Sequence, residues 1–256
     1  MRPAAWLPFV LVPRPAPSRL LGWLSPLIAL LLTVLAGMLL FALLGKDPLA
    51  SIQVFFVEPL RNLRGVSEVL LKATPLMLCA VGLALCFRAN VWNIGAEGQL
   101  IIGAVAGGAV ALLATRETPA AIVVVVLLAA IAGGMAWAAI TALLRDRFHA
   151  NEILVSLMLV YVAQLALSYM VHGPLKDPAG LGFPQSALFE APARLPRILD
   201  GTRLHVGFVL AVAAAAAAWL LLARGLIGFQ LKVAGLAPLA ARYAGFSQRR
   251  LLWFVL

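Results

Sequence analysis

The chain has 256 residues, of which 63% are hydrophobic and 12% charged, with a mean hydropathy of +1.01; soluble domains run at about 45–50% apolar and about 25% charged. That composition excludes a soluble globule, and with it a disordered chain, a collagen-like repeat and a secreted disulfide scaffold. The net charge of +10 calls for no nucleic-acid partner, because cytoplasmic loops of membrane proteins collect Lys and Arg and no basic stripe interleaved with aromatics is present.

Apolar stretches of a length that crosses a bilayer, about 17–25 residues, occur at Leu21–Leu44, Val69–Cys86, Gln99–Thr115, Ala120–Leu144, Ile153–Val171 and Leu204–Ala223. The expected fold is therefore all-α, a polytopic transmembrane helical bundle of about six spans. After Arg249 and Arg250 the run Leu251–Leu256 reads as the start of a seventh span or as an interfacial segment. As the start of a span it makes the chain look like a C-terminally incomplete fragment of a longer protein. Alternate loops carry 11 Lys and Arg on one side and 8 on the other, which places the N-terminus, segment 1–20, in the cytoplasm. The first apolar run, 24 residues long, exceeds the 7–15 residues of a signal-peptide core. Residues 21–256 then form one membrane domain.

Two connections exceed a tight turn. The outer one, 172–203, contains Pro174, Pro178, Pro184, Pro192 and Pro196 and should be ordered but irregular. The inner one, 224–250, holds five bases and no acid. Within it Pro238 suits a first helical position and Gly245 a C-terminal cap, so a short helix is expected there, with Ala240, Ala241 and Ala244 as a small-residue face. Gly103 and Gly107 in the third span and Gly133 and Gly134 in the fourth read as close-packing positions between helices.

The segment Phe87-Arg-Ala-Asn-Val-Trp-Asn-Ile-Gly-Ala-Glu-Gly-Gln99 is the most polar stretch between two spans. It carries Asn90, Asn93, Glu97 and Gln99, with Gly95 and Gly98 around the glutamate. Polar, unwound backbone at membrane depth is tolerated only when buried in protein or facing a watery cavity, so the segment either dips inward and lines a pathway or forms a solvated turn. Asn151 and Glu152 fit a helix cap and a favourable charge at the start of the fifth span.

No phosphate loop, nucleophile elbow or zinc-protease motif occurs, so no enzymatic activity is expected. Cys79 and Cys86, seven apart on one helix, are separated by roughly 10 Å along its axis and do not pair with each other. His149, His172 and His205 are isolated from one another and from cysteine, so neither a metal nor a cofactor is expected.

The run 87–99 resembles the signature of permease subunits of ATP-binding cassette (ABC) importers in the branched-chain amino acid, ribose and nucleoside superfamily, closest to its nucleoside and simple-sugar branch. Asn151-Glu-Ile-Leu-Val-Ser-Leu-Met158, the Ala-Gly…Pro…Ala-Ala-Arg-Tyr-Ala-Gly pattern between Gly228 and Gly245, and His172-Gly-Pro-Leu-Lys176 are similar to further family blocks. The resemblance implies a pathway shared by two permease subunits, separate ATPase subunits below, and an extracytoplasmic solute-binding protein above. It also implies that Ala234, Gly235, Pro238, Ala240, Ala241, Arg242 and Gly245 belong to the element that couples to the ATPase. A branched-chain amino acid permease, a passive channel and a secondary carrier are the alternatives. One departure from the pattern is Ala237, where the family usually has Asn. Loss of a side-chain cap there costs about 0.5–2 kcal/mol.

Overall fold

A computed structural model of the chain describes residues 18–256, so the expected N-terminal segment 1–20 lies, except for its last residues, outside the described residues. The described residues divide into two compact units, 18–66 and 67–256.

In the first unit, α1 (Arg19–Leu43) starts at Ser18, whose hydroxyl accepts from the Leu21 amide. Nearly all its side chains are exposed, as in a helix that is apolar all round and belongs in lipid. A turn at Gly45, at φ +68°, leads to α2 (Pro48–Ile52). Asp47 caps α2 by accepting from Leu49 and Ala50, and Pro48 fills its first position, the arrangement favoured at helix starts. A π turn (Gln53–Val57) and a 3-10 turn (Glu58–Leu60) follow.

α3 (Leu63–Arg88) begins in the first unit and continues into the second. The second unit then adds α4 (Ala96–Ala111), α5 (Ile122–Phe148), α6 (Glu152–His172), α7 (Gly207–Arg224), α8 (Leu226–Leu236), α9 (Pro238–Tyr243) and α10 (Gln248–Val255). Five of the six expected spans are helices long and apolar enough to cross a membrane, and the chain is a multi-pass membrane protein. The stretch expected over 99–115 differs: α4 starts earlier, at Ala96, and ends at Ala111. Its 16 residues rise about 24 Å, short of a hydrocarbon core of about 30 Å.

α4 nevertheless joins the two ends of the unit. Ala111 at its end and Ala114 just beyond it pack on Ala193 of the long loop and on Ile122. Its start follows the extended segment 91–95, which supplies the missing depth. At its glycines α4 lies close on α5, with only alanine side chains and backbone at the contact. A Cβ at Gly103 would sit 2.8 Å from the Ala130 carbonyl oxygen, and one at Gly133 would sit 2.7 Å from Ala106 Cβ. The glycines noted in the two spans thus face each other across one contact, which is how small residues let membrane helices approach.

The long loop is irregular, with a 3-10 turn at Ala191–Ala193 and one antiparallel bridge between Arg197 and His205. At the other end α8, α9 and α10 gather beneath the bundle. α10, capped by Ser247, does not stand apart: Leu251 and Val255 are buried in a cluster with Cys86, Val91 and Leu231.

Candidate functional site

The segment between α3 and α4 is held in place residue by residue. α3 ends in a turn whose Asn90 adopts φ +56°, a left-handed conformation Asn tolerates better than most residues. From Val91 to Gly95 the chain is extended. Val91, Asn93 and Gly95 are buried while Trp92 and Ile94 are exposed, the period-two alternation of extended backbone. Asn93 Oδ1 accepts from the Gly95 amide at 2.8 Å, and Ser156 Oγ accepts from the Ile94 amide at 3.2 Å. Ser156 lies one turn inside α6, so the segment enters the bundle. The backbone of 91–95 is thus held by the bundle, while Glu97 just beyond it is exposed. Gly95 and Gly98 are needed for this approach: a Cβ at Gly95 would stand 2.9 Å from Ser156 Cβ, and one at Gly98 3.1 Å from Val160 Cα.

The four polar residues picked out in the sequence do not converge. Asn93 and Gln99 line a cavity of about 550 Å³ bounded by Cys79 and Gly82 of α3 and by Ala130 and Gly134 of α5. Glu97 points elsewhere, to the exposed surface, where Gln164 of α6 donates to its Oε1 at 3.2 Å. Gln164 lies twelve residues into α6, about 18 Å along the helix, so the pair sits near the middle of the span. Asn90 is apart from both. Its Oδ1 accepts from the Trp92 indole at 3.3 Å, and it borders a cavity of about 620 Å³ at the α8–α10 end.

That end is polar and cross-braced. Asn151 Oδ1 accepts from the Ile153 and Leu154 amides at the start of α6, as the sequence pattern predicts. Glu152 pairs with Arg145 at 2.5 Å across the turn from α5. Asp146 receives Arg249 at 2.7 Å and the Trp253 indole at 3.1 Å, tying α10 to α5. α8 presses its backbone on the Asn90 turn: a Cβ at Gly235 would run into the Arg88 carbonyl oxygen and lie 3.2 Å from the Asn90 nitrogen.

The expected helix at Pro238 is present as α9, with Pro238 at its start and Gly245 at φ +75° just beyond its end. Ala237 provides no side-chain cap. Gln248 donates to the Pro238 carbonyl at 3.2 Å, a tie to the start of α9 that leaves its first amides without a side-chain acceptor. The small-residue face is split: Ala241 is wholly buried within the chain, whereas Leu239, Ala240, Tyr243 and Ala244 are exposed. Ala234 borders the 620 Å³ cavity, and Arg242 is exposed. Ser156 and Gln164 are the site residues the sequence reading missed. A lone Ser or Gln in an apolar run gives no sign of what it faces. Among the described residues no three His, Cys, Asp or Glu side chains come together as a metal site would require.

Residues 65–256 match the family model described as the permease component of the branched-chain amino acid transport system. The chain belongs to that permease family. Similar proteins include the glucose ABC transporter permease TsgB13 of Haloferax volcanii, 36% identical over 95% of this chain and 66% of its own length. The guanosine ABC transporter permease NupP of Bacillus subtilis is 32% identical over 91% of this chain and 67% of its own length. The nucleoside ABC transporter permease NupB of Lactococcus lactis is 26% identical over 90% and 65%. The chain thus spans about two thirds of the length of these permeases. No solved structure matches it.

The hydrogen bonds separate what holds this segment from what it presents. Asn93→Ala would leave the buried Gly95 amide unpaired and should destabilise the detergent-solubilised protein by about 1–3 kcal/mol. Glu97→Gln, at an exposed position, should change stability by no more than about 0.5 kcal/mol. Thermal unfolding of the two variants checks the order, and a larger loss for Glu97→Gln would overturn it.

Proposed function

We propose that the chain is the membrane-embedded permease subunit of an ATP-binding cassette importer and passes a small hydroxyl-rich solute, a nucleoside or simple sugar. ATP hydrolysis falls to separate ATPase subunits, a second permease subunit completes the pathway, and an extracytoplasmic binding protein delivers the solute. The observation that carries this reading is the Glu97–Gln164 pair. Polar side chains at mid-span are stable only against protein or a watery cavity, and a carboxylate beside a carboxamide offers acceptors and a donor to a solute rich in hydroxyls. The permeases named for glucose, guanosine and nucleosides share such a solute class, since each carries a hydroxylated ring. Asn93 and Gln99 add polar groups to the neighbouring cavity.

Coupling runs through the α8–α9 region. The exposed Leu239, Ala240, Tyr243 and Ala244 offer the ATPase a surface on α9, with Arg242 beside them. Movement of α8 carries the Asn90 turn with it, because Gly235 leaves no gap to absorb the motion. Asn93 and Glu97 lie a few residues further on. Closure of the ATPase pair would stabilise one arrangement of this linkage over the other, which is what alternating access requires.

Uptake by the complete transporter in proteoliposomes tests the reading, with labelled guanosine and D-glucose as probes. The wild type should accumulate at least one of them with ATP and the binding protein. Glu97→Gln should lower that rate by roughly tenfold, about 1.4 kcal/mol in the rate-limiting state, at unchanged abundance and basal ATP hydrolysis. Ala240→Trp should abolish co-purification of the ATPase, because bulk on a docking face is poorly accommodated; Ala241 is unsuitable for this test because it is buried in its own chain. Unchanged uptake in Glu97→Gln would return that residue to a structural role.

The loop charges support a cytoplasmic N-terminus and a cytoplasmic α8–α10 end. A membrane-impermeant thiol reagent added outside should then label Leu188→Cys and leave Tyr243→Cys unlabelled, both positions being highly exposed. The reverse pattern would invert the orientation.

A further inference from the structure

At the long-loop end the chain folds back over residues 196–206. Ile198 donates to the Leu204 carbonyl at 2.9 Å and Val206 to the Pro196 carbonyl at 3.0 Å, with Arg197 and His205 as the bridged pair between them. Directly opposed residues of an antiparallel pair project to the same side, so these two side chains share a face. Arg194 joins them, fixed by its Nε donating to the Phe189 carbonyl at 2.6 Å. A guanidinium has five N–H donors, so most of that fork remains available. His205 Nδ1 accepts from the Gly207 amide at 3.1 Å, which leaves the ring proton on Nε2. Arg197 makes no side-chain hydrogen bond or ion pair among the described residues, whereas the nearby Arg203 is held in a two-pronged pair by Glu68.

These groups rim a cavity of about 450 Å³ whose floor is Val123, Val126 and Leu127. Arg203 lines it too, with its charge met by Glu68, and none of the lining residues is itself an Asp or Glu. The three aliphatic residues belong to the first two turns of α5, a membrane-spanning helix. The cavity thus combines basic side chains of the long loop with aliphatic side chains from the start of a membrane-spanning helix, the pairing expected where water meets hydrocarbon.

We propose that this cavity binds the phosphodiester headgroup of an anionic phospholipid, with Arg194, Arg197 and His205 on the phosphate and the glycerol end of the acyl chains on Val123, Val126 and Leu127. Planar guanidinium forks match phosphate oxygens. A zwitterionic choline lipid would bring its ammonium toward the same cations. An acidic peptide would satisfy the rim but leave the aliphatic floor, at membrane depth, uncovered. The site is independent of the transport reading and stands or falls separately from it.

Native mass spectrometry of the purified full-length protein in a neutral detergent tests the site, with phosphatidylglycerol, phosphatidylcholine and inorganic phosphate as probes. The wild type should bind one phosphatidylglycerol at least about tenfold more tightly than phosphatidylcholine, and Arg197→Gln should lose about that factor, as expected for one charge-assisted contact. Among the described residues Arg197 has no side-chain partner to lose, and its bridge to His205 is made by backbone, so the substitution leaves the loop intact. Arg250→Gln, an exposed base at the opposite end, should bind phosphatidylglycerol as the wild type does. Equal binding by Arg197→Gln and wild type would overturn the proposal, as would an equal loss in Arg250→Gln. Inorganic phosphate bound as tightly as the lipid would mark a free-anion site and overturn the lipid assignment.

Discussion

Gly235 has no side chain to hold α8 away from the main chain of Arg88, Ala89 and Asn90, and that backbone contact fixes the position of the segment that follows. The apolar cluster of Cys86, Val91, Leu231, Leu251 and Val255 closes around the same point, so the end of α3, the extended segment, α8 and α10 meet in one place. Cys86 adds a polar tie, its thiol donating to the Val255 carbonyl. Buried apolar contacts of this kind are close-packed and transmit displacement rather than absorb it. The left-handed Asn90, the extended 91–95 and the first turn of α4 are then placed relative to α8, not to solvent.

From that anchor the rest follows by satisfying backbone groups at membrane depth. Extended chain inside a bundle leaves amides without helical partners, and unsatisfied amides in hydrocarbon are costly. Asn93 and Ser156 take two of them. Their geometry turns the chain into α4 with Glu97 facing outward toward Gln164. Because five residues cross part of the depth in extended form, α4 needs only 16 residues to reach the long-loop end. Its close contact with α5, through Gly103 and Gly133, then makes these two helices one rigid wall beside the cavity that Asn93 and Gln99 line.

The spans were legible because a long apolar run has few other uses, and the Pro238 and Gly245 signals located α9 within a residue or two. The limits of α4 were not legible, because hydropathy marks what is apolar and not where helical hydrogen bonding begins. Ala96-Glu97-Gly98 looks like loop but is helix, while Leu112 and Leu113 look like span but lie beyond its end. Asp47-Pro48 is a readable start signal for α2, but the helix has only five residues and so leaves no long apolar run. The three alanines of α9 could not reveal that Ala241 turns inward, since a small residue fits both a core and a docking face. Pairs such as Glu68 with Arg203, 135 residues apart, leave no local trace, and neither did the alignment of Gln164 with Glu97.

Under the proposed function α8 is the part that moves the site, and the ratio of solute imported to ATP hydrolysed measures this most directly. In the reconstituted complete transporter, Gly235→Ala forces a Cβ against the Arg88 carbonyl, so α8 must draw back from the Asn90 turn. Normal abundance and continued ATP hydrolysis are expected, with an import-to-hydrolysis ratio reduced by about tenfold or more, equivalent to about 1.4 kcal/mol of lost coupling. A variant that imports and hydrolyses in the wild-type ratio would contradict this role of α8.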